Sequence, residues 1–185
     1  MNKTSNFNFV TIKSISQKEL VACFQIVKNN LPSEGIILQP GDEKLWKDNF
    51  VSNVDKDNFI TVLIYRHGSV CGFFTLLMEE KLYLCEIQFD ESVKNTRLIL
   101  ETLLFLFNLD KISNYEKIYF NIKRSNFISN KTFSHLGGQV VSTATGSLQY
   151  VLDRSTVQSY LNRLKFSTID SEQVLWYTIF IGENV

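Results

Sequence analysis

The chain has 185 residues, 44% of them hydrophobic and 21% charged, which is enough for one well-buried core and one domain. Nineteen basic residues balance nineteen acidic ones, and no block of like charge occurs. The composition therefore excludes the electrostatic footprint of a nucleic-acid binder or of a protein held on an anionic membrane.

The opening stretch, "MNKTSNFNFVTIKS", has neither the apolar centre nor the small-residue cleavage site of a secretory signal, and no window reaches the roughly 18 apolar residues of a membrane span. A soluble, cytoplasmic protein is expected. Within it "FVTIKSI" predicts a first strand. "SQKE", Ser16 to Glu19, has the form of a capping box and opens a helix from about 17 to 30. "LPSEGIILQPG" reads as a loop, and "DEKLWKDNFVSN" carries Leu45, Trp46, Asn49 and Phe50 at helical spacing. Three strands joined by tight hairpins follow, broken at His67-Gly68-Ser69 and at Glu79-Glu80-Lys81. "NTRLILETLLFLFNLDKI" is apolar nearly all round and predicts a buried helix.

A strand at 116–123 leads into "SNFISNKTFSHLGG", a short helix that Asn126 caps and Gly137 stops. The hairpin "GQVVSTATGSLQYVLD", the helix "STVQSYLNRLK" and a last strand at 174–182 complete the chain. No repeat, low-complexity tract or linker interrupts it, and Pro32 and Pro40 are its only prolines, so residues 1–185 read as one domain. Cys23, Cys71 and Cys85 lie far apart in apolar runs, which predicts buried thiols rather than disulfides or a zinc site.

This order of elements predicts an α/β (α+β) fold: a mixed, mainly antiparallel sheet with helices on both faces. The strands at 81–90 and 116–123 should be adjacent and parallel, joined by a right-handed crossover through the apolar helix. A sheet that switches from antiparallel to parallel pairing leaves two strand ends free to diverge, and ligands bind beyond such carboxyl ends. Glu86 to Arg97 and Asn121 to Asn126 would border that opening.

"CEIQFDESVKNTRLILETLL" followed by "NIKRSNFISNKTFSHLGG" resembles the GNAT superfamily of acyl-CoA-dependent N-acetyltransferases, over roughly residues 8 to 154, with 155–185 as a helix-strand extension. The resemblance implies acetyl-CoA as co-substrate and a primary amine of a small molecule or peptide as acceptor, with the segment 31–54 and the third and fourth strands around the acceptor. It places Ile87, Gln88 and Phe89 along the coenzyme and Lys94-Asn95-Thr96-Arg97-Leu98-Ile99 in its pyrophosphate turn. It also sets Asn126 beside the coenzyme and Phe133 where the family carries a Tyr. Two departures accompany it. The turn's two glycines are replaced by Arg97 and Ile99, although backbone N–H groups must approach phosphate closely there. Phe133 has no hydroxyl and cannot return a proton to a departing thiolate.

Glu86 interrupts an otherwise apolar central strand, and as a carboxylate with a raised pKa it would suit removal of a proton from an ammonium substrate through water. His67, in a hairpin turn, and His135, at a helix end, read as solvated. Two further readings of the same residues are a coenzyme-binding protein without turnover, and an interaction module whose strand 174–182 pairs with a partner or a second copy in a homodimer.

Overall fold

The computed structural model describes residues 7–34, 37–94 and 96–163, and these form one seven-stranded sheet with helices on both faces. The elements run β1 (Phe7–Ile12), α1 (Gln17–Asn30), α2 (Asp42–Val54), β2 (Phe59–Arg66), β3 (Ser69–Met78), β4 (Leu82–Phe89), α3 (Thr96–Phe107), β5 (Lys117–Lys123), α4 (Phe127–His135), β6 (Gln139–Ala144), β7 (Ser147–Asp153) and α5 (Arg154–Arg163). Across the sheet the order is β1-β2-β3-β4-β5-β7-β6. All neighbours are antiparallel except β4 and β5, which run parallel as the crossover through α3 requires. The strand expected at 174–182 lies outside the described residues.

Each face has its own core. Against the α3 face, Val62, Ile64, Phe74, Leu76, Leu82 and Ile118 pack with Leu98, Leu100, Leu103 and Leu106. Every one of these Leu side chains is at most 1% exposed, and burial of that kind contributes roughly 1.5–3 kcal/mol per side chain. On the opposite face Leu20, Cys23 and Val27 of α1 and Phe50 and Val54 of α2 close over Leu63 and Phe73.

Local chemistry sets the boundaries. Ser16 and Glu19 form the full capping box at the start of α1. The β2–β3 hairpin turns on His67 and Gly68, both at positive φ (52° and 78°), the backbone of a two-residue type I′ turn. At the end of α4 the N–H of Gly138 donates to the carbonyl of Phe133 at 2.8 Å and that of Gly137 to Ser134 at 3.1 Å, a Schellman ending with Gly137 at φ 90°.

The helical spacing of Leu45, Trp46, Asn49 and Phe50 is that of α2, whose inward stripe is Trp46, Phe50 and Val54 while Leu45 is 61% exposed. Two sequence expectations need correcting. The buried helix does not continue to Ile112: α3 ends at Phe107, the Asn108 amide turns back to the Leu104 carbonyl at 2.8 Å, and Asp110–Ile112 form a separate short 3-10 turn. Cys23 and Cys71 are buried, but Cys85 is exposed; it is the extra residue of a bulge in β4 and belongs to neither packed face.

Candidate active site

The central feature is a break in the sheet. β4 and β5 pair only at Leu82↔Ile118 and Tyr83↔Tyr119, and beyond Tyr83 no ladder joins them. β5 stays paired with β7 over its full length, Lys117↔Asp153 to Lys123↔Ser147, so the opening lies between β4 and β5 alone. The segment of β4 that borders it is Leu84 to Phe89, which contains the predicted Glu86, Ile87, Gln88 and Phe89.

At the same level β4 carries its bulge. Leu76 opposes Leu84, but Thr75 opposes Glu86, so Cys85 is skipped. Before the bulge Leu82 and Leu84 face the α3 core; after it Phe89 and Ile87 do, and Glu86 and Gln88 are turned to the α1/α2 face. Without the extra residue, alternation would aim Glu86 into the α3 core. The bulge therefore decides where this carboxylate points.

Glu86 lines a cavity of 180 Å³ with Trp46, Asn49, Phe50 and Asn53 of α2, Phe59 of β2, Thr75 of β3 and Cys85. Trp46 stacks on Phe50 with ring centres 4.8 Å apart, and both rings lean on Phe73, which fixes the aromatic wall. Thr61, Thr75 and Glu86 stand opposite one another on successive strands, a polar row across an apolar sheet. The Glu86 charge reaches its neighbours. Burial, then the Glu86 and Glu19 carboxylates, push the Cys23 thiol up to about 12, and the Cys85 thiol at the cavity rim is raised chiefly by partial desolvation.

The rest of the opening is held by side-chain amides. Asn30, buried at the end of α1, donates to Gln88 Oε1 at 2.7 Å and to the Phe89 carbonyl at 3.1 Å, tying α1 to the end of β4. Asp90 then accepts from the Ser92 hydroxyl and backbone, which hold its carboxyl below the usual carboxylate range. Lys94 ion-pairs with Glu91 at 2.7 Å. α3 begins at Thr96; Leu98 is fully buried and Ile99 packs against the same core. These two residues of the predicted pyrophosphate turn thus send their side chains inward, away from the first-turn N–H groups. Asn95 lies outside the described residues, and for Thr96 and Arg97 only the backbone is described.

Across the opening, Asn126 caps α4 by accepting from the Ser129 N–H at 3.0 Å. Asn130 braces the turn: its amide donates to the carbonyls of Lys123 at 2.9 Å and Asn126 at 2.8 Å, and its Oδ1 accepts from Tyr150 Oη at 3.0 Å. Phe133 is 5% exposed, with its ring centre 4.6 Å from that of Phe120. Phe127 and Ile128, by contrast, are 78% and 82% exposed beside the capping residue. His67 and His135 are both exposed, the latter edge-on to Tyr160.

Sequence reasoning missed Asn30, Asn130 and Phe59, and of the rest of the cavity wall it gave the segment 31–54 and the third and fourth strands but not which of their residues meet. The wall had no local signal, since four elements supply it. One signal was available: residues 118–152 contain Lys123, Arg124 and Lys131 but no Asp or Glu, so the neutral chain holds a basic segment around α4.

This mixed α/β fold, a seven-stranded and mostly antiparallel sheet with helices, matches that of solved GNAT acetyltransferases. Solved structures with this architecture include the PaiA N-acetyltransferase of Thermoplasma acidophilum in complex with coenzyme A, similar over 78% of this chain and 98% of its own with a TM-score of 0.65 and 13% identity. FdhC, described as a nucleotide-linked sugar GNAT, is similar over 88% of this chain and 96% of its own, with a TM-score of 0.65 and 16% identity. The Campylobacter jejuni N-acetyltransferase PseH with acetyl coenzyme A is similar over 80% and 99%, with a TM-score of 0.56 and 9% identity. No protein-family model and no curated protein matches the chain by sequence.

Proposed function

We propose that the chain is an acyl-CoA-dependent N-acyltransferase acting on a primary amine, with acetyl-CoA as its co-substrate. The observation that carries this reading is a coincidence of place: the β4–β5 ladder ends, the bulge turns Glu86 outward, and an aromatic cavity opens at the same level of β4.

The opening suits a coenzyme on two counts. β4 beyond Tyr83 offers a strand edge with no ladder partner on the β5 side, and the first turn of α3 offers backbone N–H groups and a positive dipole end to a pyrophosphate. Leu98 and Ile99 turn their side chains into the core and so do not cover that turn, and the basic segment around α4 adds attraction for an anion. Residues 87–89, 94–99 and Asn126 would hold the coenzyme, which supplies a thioester carbonyl. Glu86 accepts a proton from the acceptor's ammonium through water, leaving a neutral amine able to attack. The rings of Trp46, Phe50 and Phe59 form an apolar wall beside that reaction. Phe133 contributes packing, so a thiolate would leave without a side-chain acid, as its low basicity allows.

A second reading, coenzyme binding without turnover, is favoured by that same Phe133 and by the filled glycine positions. Acetyl-CoA should raise the melting temperature in both readings, because it binds the native state selectively. Thr96→Pro should abolish the shift while keeping the fold, since Pro is well accommodated at the first helical position but removes a donor N–H. Thiol release with an amine panel then separates an enzyme from a binder. No shift at millimolar acetyl-CoA defeats both.

A further inference from the structure

We infer that the acceptor is a small primary amine with an apolar body and no acidic group, seated as its ammonium in the cavity beneath α2. This inference rests on the acyltransfer reading and specifies its acceptor. The cavity measures 180 Å³. An engineered protein cavity of about 150 Å³ takes up benzene, so a ring-sized or short branched body fits here, while the exposed Asn49 and Cys85 leave the mouth open to solvent.

Its walls are selective in charge as well as size. The rings of Trp46, Phe50 and Phe59 line the cavity, and Glu86 is the only charged side chain among the described residues lining it. Aromatic faces and a carboxylate both attract an ammonium, and the attraction strengthens as the site loses water. No described Lys, Arg or His lines the cavity. A carboxylate or phosphate on the acceptor would enter against the Glu86 charge with no cation among the described lining residues to offset it, and burying a poorly compensated charge is strongly disfavoured. Lys56 attaches to this wall from outside: its ammonium donates to Asn53 Oδ1 at 2.7 Å and stands 5.6 Å from the Phe59 ring centre. Asn49 and Asn53, one turn apart on α2, are neutral donors and acceptors, suited to a hydroxyl or a water on the guest.

Benzylamine and phenylglycine make the test, because they share a ring and an amine and differ by one carboxylate. The chain has two tryptophans, so in a Trp176→Phe background Trp46 reports occupancy by fluorescence. Benzylamine should quench Trp46 at concentrations at least tenfold below phenylglycine, and its kcat/KM with acetyl-CoA should be about a hundredfold higher, the scale on which an unmatched buried polar group is rejected. Glu86→Gln should weaken the benzylamine quench at least tenfold. Asn49→Arg, at the exposed rim, should move the ratio at least tenfold toward phenylglycine, whereas Lys56→Gln should leave it unchanged. Equal or better binding of phenylglycine, acetylation of carboxylated or phosphorylated amines alone, or no Trp46 response to any amine at millimolar concentration overturns the inference. Quenching by benzylamine without acetyl-CoA stabilisation or turnover instead removes the acyltransfer reading and leaves the amine site standing.

Discussion

Cys85 contributes most by being surplus. As the unmatched residue of the β4 bulge it lets Glu86 leave the α3 core, where a carboxylate would lose its hydration, and enter a cavity with room for a substrate. If Glu86 is the proton acceptor, Glu86→Gln should lower kcat/KM for acetyl-CoA and amine by about 10²–10⁴-fold while leaving the acetyl-CoA-dependent rise in melting temperature intact. Phe133→Tyr tests the other half of the chemistry. The ring is 5% exposed and packed on Phe120, so a hydroxyl that finds no partner costs about 1–3 kcal/mol in urea unfolding. If the position still borders the thioester, turnover should rise by at least tenfold with no such loss of stability.

At the level of elements, α4 and α5 are locked to each other and to the sheet at single points. A Cβ at Gly137 would come within 2.3 Å of Thr156 Cγ2 and would sit at φ 90°. Gly137→Ala should therefore destabilise the protein by about 1–3 kcal/mol, and Thr156→Ser should recover only the steric part, because the backbone strain remains. Arg154, the first residue of α5, donates to the carbonyls of Phe107 at 2.6 Å and Ile112 at 3.0 Å, closing the end of α3 and the 3-10 turn after it. Hydrogen bonds to a charged group contribute about 1.5–3 kcal/mol, so Arg154→Met should lower the denaturant midpoint by an equivalent amount and loosen α3 in hydrogen exchange. Both losses should be visible without coenzyme, which separates the scaffold from the site.

For the molecule as a whole, stability should form a dome in pH with an identified cause on each side. The hydrogen bond from the Ser16 hydroxyl, then that from Tyr65, lowers the Glu19 pKa, and Ser92 lowers that of Asp90. A lowered carboxyl pKa adds stability above the unfolded value of about 4 that is lost as pH falls through the folded one. Glu19→Gln should flatten the acid limb of a urea-midpoint profile. Burial raises Cys71 to about 11 and Cys23 to about 12. Raised thiol pKa values add stability that is complete below the unfolded value of about 8.5 and is lost as pH climbs toward the folded ones. Alkylation at pH 8 should label Cys85 alone in the native protein and all three thiols in urea, counted by mass.

Patterns with a short range were legible in the sequence. The capping box at Ser16, the turn at His67-Gly68, the stop at Gly137 and the apolar face of α3 are settled by backbone chemistry and periodicity within a few residues, so the elements and their order could be read directly. That order also implied the parallel pairing of β4 and β5, because a strand, a crossover helix and a strand in one sheet join in that way. What the tertiary structure decided were the features that need two distant segments at once. Leu45 fits a helical stripe as well as Trp46 does, and only the position of Phe73 on β3 chooses between them. The bulge is a mismatch in count between β3 and β4, which neither strand records alone. Glu86 was visible as an acid in an apolar strand, but the face it presents depends on that count, and the cavity it enters is built by α2, β2, β3 and β4 together.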